Sequence, residues 1–172
     1  MKKLAVIAAG ICLFAACKES KKDLITGKWQ AISVESPELT QQVEASRIFF
    51  DTVGTTTDAA ANEQLYGVRN MDSMRAVLKL QLDSFLAMQD ATVRNTWMNF
   101  DKNGTVVASF NSYPDTVKWY FDDEDNLMLD ELEQKGAGTK IKMEVVRLED
   151  TILQLKFKEG EFSSTATFKP VK

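Results

Sequence analysis

The chain has 172 residues, of which 44% are hydrophobic and 27% charged, so it can form one globular domain but is short for two. Its formal charge of −4 argues against nucleic acid as a partner, because proteins that bind nucleic acid concentrate Lys and Arg in a basic patch. The sequence contains no histidine, which excludes His-based general bases, Ser-His-Asp and Cys-His nucleophiles and the commonest zinc ligand. We therefore expect no enzymatic activity, no metal site and no cofactor.

The first residues have the pattern of a secretory signal. Two lysines precede an eleven-residue apolar run at positions 4–14, and two alanines follow it. The uncharged stretch at 4–17 is shorter than the roughly 20 residues that a membrane-spanning helix needs. Residues 1–16 are therefore predicted to be a cleaved signal peptide.

Cys17 follows this signal directly. The segment Phe14-Ala15-Ala16-Cys17 resembles the lipobox of bacterial lipoproteins, in which small residues precede an obligatory cysteine. The resemblance implies that Cys17 becomes the acylated first residue of the mature chain and anchors it in a membrane, since two or three acyl chains hold a protein stably. Lys18 stands where an Asp would favour the inner membrane, so the outer membrane is expected, with the protein facing the periplasm or the cell surface. The alternative is a secreted protein cut nearby, in which Cys17 is incidental.

The folded domain is predicted to begin at about residue 25, after a charged tether at 17–24. Gly27 opens a run of β-forming residues that predicts a first strand over 27–35. Ser36 and Pro37 have the pattern of a helix start, with Ser as the N-cap and Pro at the first helical position.

A helical insertion is predicted at about 37–95. The segment TVGTTT at 52–57 interrupts it, and a short helix is expected at 58–65. The clearest helix covers 71–94, where apolar residues recur at spacings of three and four: Met71, Met74, Leu78, Leu82, Phe85, Leu86 and Val93.

From Thr96 onward the hydrophobic period changes to two, which predicts short strands. Seven are expected, at about 96–100, 104–110, 116–121, 126–132, 139–147, 151–157 and 161–168. Turn residues separate them, including those at 101–104, 112–115, 122–126 and 136–138. With the first strand, these hairpins predict a mainly β fold, an eight-stranded antiparallel up-and-down barrel.

Motifs in two of these segments resemble the bacterial lipocalin-like domain that occurs in many small lipoproteins. Such domains open with a Gly-x-Trp strand and carry a Phe-Asp-x-x-Gly-Thr hairpin. The matching residues here are Gly27, Trp29, Phe100, Asp101, Gly104 and Thr105. The resemblance covers about residues 25–169 without the insertion, and it implies a calycin-type barrel while saying almost nothing about a ligand.

An eight-stranded barrel can be filled by its own side chains or can hold one small ligand. The many large residues on the inward faces favour a mostly filled interior, with any cavity near the mouth. The residues predicted to contact an apolar ligand are Trp119, Phe121, Met143 and Phe157 on strands, and Met74 and Phe85 on the long helix.

Two further clusters have alternative interpretations. Met71, Met74, Met88 and Met98 fall close together, and methionine suits adaptable apolar surfaces. This group is either an ordinary helix face packed on the barrel, or a helical lid over a ligand cavity or a partner-binding groove. The carboxylates at 122–125 could attract calcium, but adjacent residues between two strands more simply form a solvated turn.

Two functions remain open at this stage. The first is a lipid-anchored binding module that holds a small apolar ligand, with the helical insertion shaping the entrance. The second is a non-catalytic scaffold whose insertion docks a protein partner in the cell envelope.

Overall fold

The computed structural model describes residues 20–110 and 113–171. The predicted signal peptide and Cys17 lie outside this range, so their roles stay predictions. Eight strands occur in the described part of the chain: β1 (Gly27–Glu35), β2 (Trp97–Phe100), β3 (Thr105–Phe110), β4 (Tyr113–Phe121), β5 (Leu127–Asp130), β6 (Lys140–Glu149), β7 (Ile152–Glu159) and β8 (Phe162–Pro170). The helices are α1 (Lys21–Ile25), α2 (Pro37–Thr52), α3 (Ala59–Tyr66), α4 (Met71–Asn95) and α5 (Glu131–Lys135).

The strands form one closed antiparallel barrel in sequence order, with β8 pairing to β1. This arrangement is compatible with a lipocalin-like fold and confirms the predicted eight-stranded barrel with a helical segment between the first two strands. The alternation of apolar and polar residues places one face of each strand inside, and closure leaves no sheet edge along most of the strands.

Side chains fill the middle of the barrel. Sixteen buried hydrophobic residues form one core cluster, which includes Trp29, Met98, Phe100, Trp119, Met143, Leu155 and Phe168. Trp119 packs edge-on against two neighbours, with its ring centroid 5.4 Å from that of Phe100 and 5.8 Å from that of Phe121. These contacts agree with the prediction of a mostly filled interior.

Helix α1 covers one end of the barrel, which we call the closed end. Ile25 is fully buried in the core, and its carbonyl oxygen accepts a hydrogen bond of 2.7 Å from Trp29 Nε1. Two ion pairs hold α1 to turns at this end, Lys21 to Asp125 at 2.9 Å and Lys102 to Asp23 at 3.2 Å.

The insertion α2–α3–α4 emerges at the opposite end. Ser36 caps α2, with its Oγ accepting from the Leu39 amide, and Pro37 is the first helical residue as predicted. Gln30 Nε2 donates to the carbonyl oxygens of Arg94 and Thr96, each at 2.8 Å, and so ties the end of α4 to β1. The insertion has a small core of its own, formed by Val53, Asn62 and Met71.

Three predicted segments differ from the structure. The strand expected at 126–132 ends at Asp130, whose carboxylate caps α5 by accepting from the Glu133 amide at 2.9 Å. The turn expected at 112–115 is replaced from Tyr113 onward by β4, in which Pro114 pairs with Ser109 near the strand start. Part of the expected tether, from Lys21 onward, forms α1 instead.

Candidate functional site

The barrel opens at the end where β1 passes into α2, which we call the mouth. Val34 stands opposite Ala166, and Phe157 stands opposite Ser164, so these side chains continue the inward-facing rows beyond the filled core. A bulge between Ala31 and Ser33 shifts the register of β1 and brings Val34 onto the inner face.

A groove lies between this mouth and the helices α2 and α4. Its volume is about 620 Å³, within the usual range of small-molecule sites. We call it the mouth groove; it is lined by Ile32, Ser33, Val34, Ser36, Leu39, Gln42, Phe85, Leu86, Gln89, Asp90, Val93, Phe157, Phe162 and Ser164.

Apolar side chains form the floor and walls of the mouth groove. Val93 and Phe157 are partly buried and pack against the core cluster, so they separate the groove from the filled interior. Phe162 and Val34 are each 41% exposed. Phe85, Leu86 and Leu39 are half-buried and face them from the helices. The result is an apolar trough that is open on one side.

The polar side chains of the mouth groove are mostly uncharged. Ser33, Ser164, Gln42 and Gln89 line it, and their side chains make no hydrogen bond to any other described residue. Asp90 is the single charged residue among the described lining residues, and it is paired with the Arg94 guanidinium. The groove therefore offers hydroxyl and amide groups but no lysine or arginine.

The structure separates the residues that were predicted to contact a ligand. Phe157 and Phe85 both line the mouth groove. Trp119 and Met143 are 3% and 5% exposed within the core, so neither is accessible from the mouth groove. Phe121 is half-buried against the core at the closed-end terminus of β4.

Met74 lies elsewhere, in a separate shallow groove of about 570 Å³ on the insertion, beside Val68, Val77 and Leu78. The methionine group does not form one surface either. Met71 is buried inside the insertion, Met98 is buried in the barrel, and Met88 is 60% exposed.

Several residues of the mouth groove were not predicted. Phe162 begins the alternating row of β8, so its inward direction was visible in the sequence, but its position at the mouth was not. Val34 reaches the inner face only because of the β1 bulge, which leaves no clear sequence signal. Leu39 and Leu86 belong to helical stripes, and a stripe does not show which part of the barrel it will cover.

A buried carboxylate lies outside the mouth groove, under α5. Asp130 is fully buried, and the Lys140 ammonium lies 2.5 Å from its Oδ2, an oxygen with no other partner in the described part of the chain. The Lys140 ammonium, followed by the Glu133 amide, holds the pKa of Asp130 below its ordinary value. Because both oxygens serve the cap and the ion pair, this carboxylate has a structural role.

The acidic segment at 122–125 forms the β4–β5 turn. Asp122 Oδ1 accepts from the amides of Glu124 and Asn126 at 3.0 and 2.9 Å, and Lys142 pairs with Glu124 at 2.6 Å. Across residues 20–110 and 113–171, no group of three or more carboxylate or thiol side chains is placed to hold a metal ion. In the same residues, no helix is both long and apolar enough to cross a membrane.

The chain matches no family model, no curated protein and no solved structure.

Proposed function

We propose that this protein is a lipid-anchored lipoprotein of the bacterial cell envelope that binds a small apolar ligand in the mouth groove. In this proposal Cys17 is the site of lipid attachment, and the attached lipid anchors the protein in the outer membrane. The lipobox-like segment supports this assignment. It assigns the barrel a binding role without catalysis.

The mouth groove is the observation that carries the binding role. Its floor consists of Val93 and Phe157, and its walls bring together residues from two strands and two helices that are far apart in the sequence. Apolar side chains gain free energy when a ligand removes them from water, at about 25 cal/mol per Å². A trough of this volume can therefore shelter a small apolar molecule or one acyl chain.

The binding role is tested with the uncharged fluorophore N-phenyl-1-naphthylamine and with native mass spectrometry of protein purified from its source. We expect saturable fluorescence enhancement by the wild-type protein. Leu86→Gln and Phe162→Ser should each weaken binding about fivefold or more, because each places a polar group in the apolar wall.

Two control variants match these changes outside the groove. Leu80 is on the same helix as Leu86 and is 66% exposed, and Phe110 is 48% exposed on β3; neither lines the groove. Leu80→Gln and Phe110→Ser should bind the fluorophore as the wild type does. Absence of binding by the wild type, or equal losses in the control variants, would contradict the proposed site.

A second candidate function is favoured by the outer surface of the insertion. Ile48, Phe49, Leu80 and Met88 are each more than half exposed on α2 and α4. Apolar surface of this kind occurs at protein interfaces. In this alternative, the barrel is a scaffold and the insertion docks an envelope protein, so removal of the insertion would abolish capture of that partner.

A further inference from the structure

We infer that the mouth groove selects amphiphiles with an uncharged head group, such as a hydroxyl, ester or amide, over amphiphiles with an anionic head. This inference rests on the proposed binding function and specifies the chemical class of its ligand. It follows from the side chains that line the groove, none of which is a lysine or arginine among the described residues.

The uncharged polar groups are arranged around an apolar trough. Ser33 and Ser164 come from β1 and β8, while Gln42 and Gln89 come from α2 and α4, so they stand on both sides of the apolar walls. Their side chains make no hydrogen bond to the rest of the described chain. A ligand with donors and acceptors can therefore pair with them without breaking an existing contact.

The acidic side chains Asp90 and Glu38, at and beside the mouth groove, already have partners. Asp90 is paired with Arg94, and Glu38 accepts a hydrogen bond of 3.2 Å from Ser36 Oγ at the start of α2. A carboxylate or phosphate among these groups would lose contact with water and gain no cation in return. An uncharged head does not incur this cost.

The test compares three ligands with the same alkyl chain: monolaurin, laurate and dodecylamine. Each ligand is titrated as a competitor of N-phenyl-1-naphthylamine bound to the full chain, at neutral pH and below the critical micelle concentration of that ligand. We expect monolaurin to bind about tenfold or more tightly than laurate, which corresponds to the cost of leaving one charge without a partner. Dodecylamine should also bind more weakly than monolaurin, because the Asp90 carboxylate is occupied by Arg94.

A charge-introducing variant provides the reciprocal test. Gln89→Lys places a cation in the groove wall and should raise the affinity for laurate relative to that for monolaurin about fivefold or more. Gln81→Lys is the matched control, because Gln81 is exposed on the same helix and lines a different groove. The control should leave both affinities unchanged.

The outcomes separate this inference from the proposed function. If the fluorophore binds but laurate or dodecylamine competes as well as monolaurin does, the head-group inference is wrong and the binding site stands. Equal effects of Gln89→Lys and Gln81→Lys would also overturn the inference. If neither the fluorophore nor any of the three ligands binds, the proposed function fails and the inference fails with it.

Discussion

Asp130 shows how one side chain ends a strand, begins a helix and joins the next strand. One carboxylate oxygen accepts from the Glu133 amide, which begins α5, and the other faces the ammonium of Lys140, the first residue of β6. The carboxylate is fully buried, so both contacts are needed to offset its separation from water. Its ionised form is therefore favoured in the folded state.

The Asp130 ion pair predicts a specific dependence of stability on pH. The folded-state pKa of Asp130 lies below the ordinary value of 3.8, so the stabilisation is complete above that pH and is lost as the pH falls below it. Asp130→Asn keeps an oxygen that can cap α5 but removes the charge. We expect a lower melting temperature than wild type at pH 7, with the difference shrinking as the medium is acidified below the ordinary pKa.

Circular dichroism melts of both proteins across this pH range measure the difference. Asp123→Asn serves as the control, since Asp123 is exposed in the β4–β5 turn and should leave the melting temperature unchanged. A gap between wild type and Asp130→Asn that stays constant down to strong acid would show that the ion pair is not its source.

At the scale of the elements, helix α4 of the insertion packs against β1, part of which the short strand β2 leaves unpaired. β2 pairs with β1 only from Gly27 to Gln30, and Ala31 bonds to the Thr96 carbonyl, whereas β1 continues along β8 to Glu35. The remaining part of β1 would present an unpaired edge, and α4 packs against β1. Covering an edge in this way limits association with other chains.

Removing the insertion should leave a folded barrel that binds the fluorophore much more weakly. A replacement of residues 37–95 by a Gly/Ser linker of about eight residues can span the offset between Glu35 and Trp97, since strands rise about 3.3 Å per residue. We expect cooperative unfolding with Trp29 and Trp119 still buried, and affinity for N-phenyl-1-naphthylamine lowered about tenfold or more, because Phe85, Leu86 and Val93 are lost.

Near-ultraviolet circular dichroism and fluorophore titration measure these two properties. Unchanged binding by the folded barrel would contradict the role given to α2 and α4. The same protein tests the alternative function, because an envelope partner that is still captured by the barrel alone does not dock on the insertion.

At the scale of the whole molecule, the sequence predicted the barrel better than the site. Alternation showed which side of each strand faces inward, and hairpin turns showed sequential pairing, so the eight strands were foreseen. Alternation does not show how far along the barrel axis a residue lies, and for this reason Trp119 and Met143 were assigned to a ligand although they fill the core. The cap at Asp130 and the bulge in β1 depend on tertiary contacts that a single sequence does not display.

The proposed anchor makes a prediction for the complete protein in its cell. Labelled palmitate should be incorporated into the wild type, and the mature N-terminal fragment should carry the mass of the acyl chains on Cys17. Cys17→Ser should abolish the label, whereas Cys12→Ser should retain it, because Cys12 lies within the predicted signal. A free Cys17 thiol in the mature wild-type protein would contradict lipid attachment.

If Cys17 is lipid-anchored as proposed, helix α1 decides which end of the barrel faces the membrane. Lys21 and Asp23 are paired with turns of the closed end, so the chain that precedes Ser20 joins the barrel at that end. The three residue-to-residue steps from Cys17 to Ser20 span at most about 11 Å when fully extended. A bilayer that holds Cys17 would therefore lie behind the closed end, and the mouth would open toward the aqueous side. A ligand would then arrive from a carrier or from solution and not by direct transfer from the anchoring leaflet.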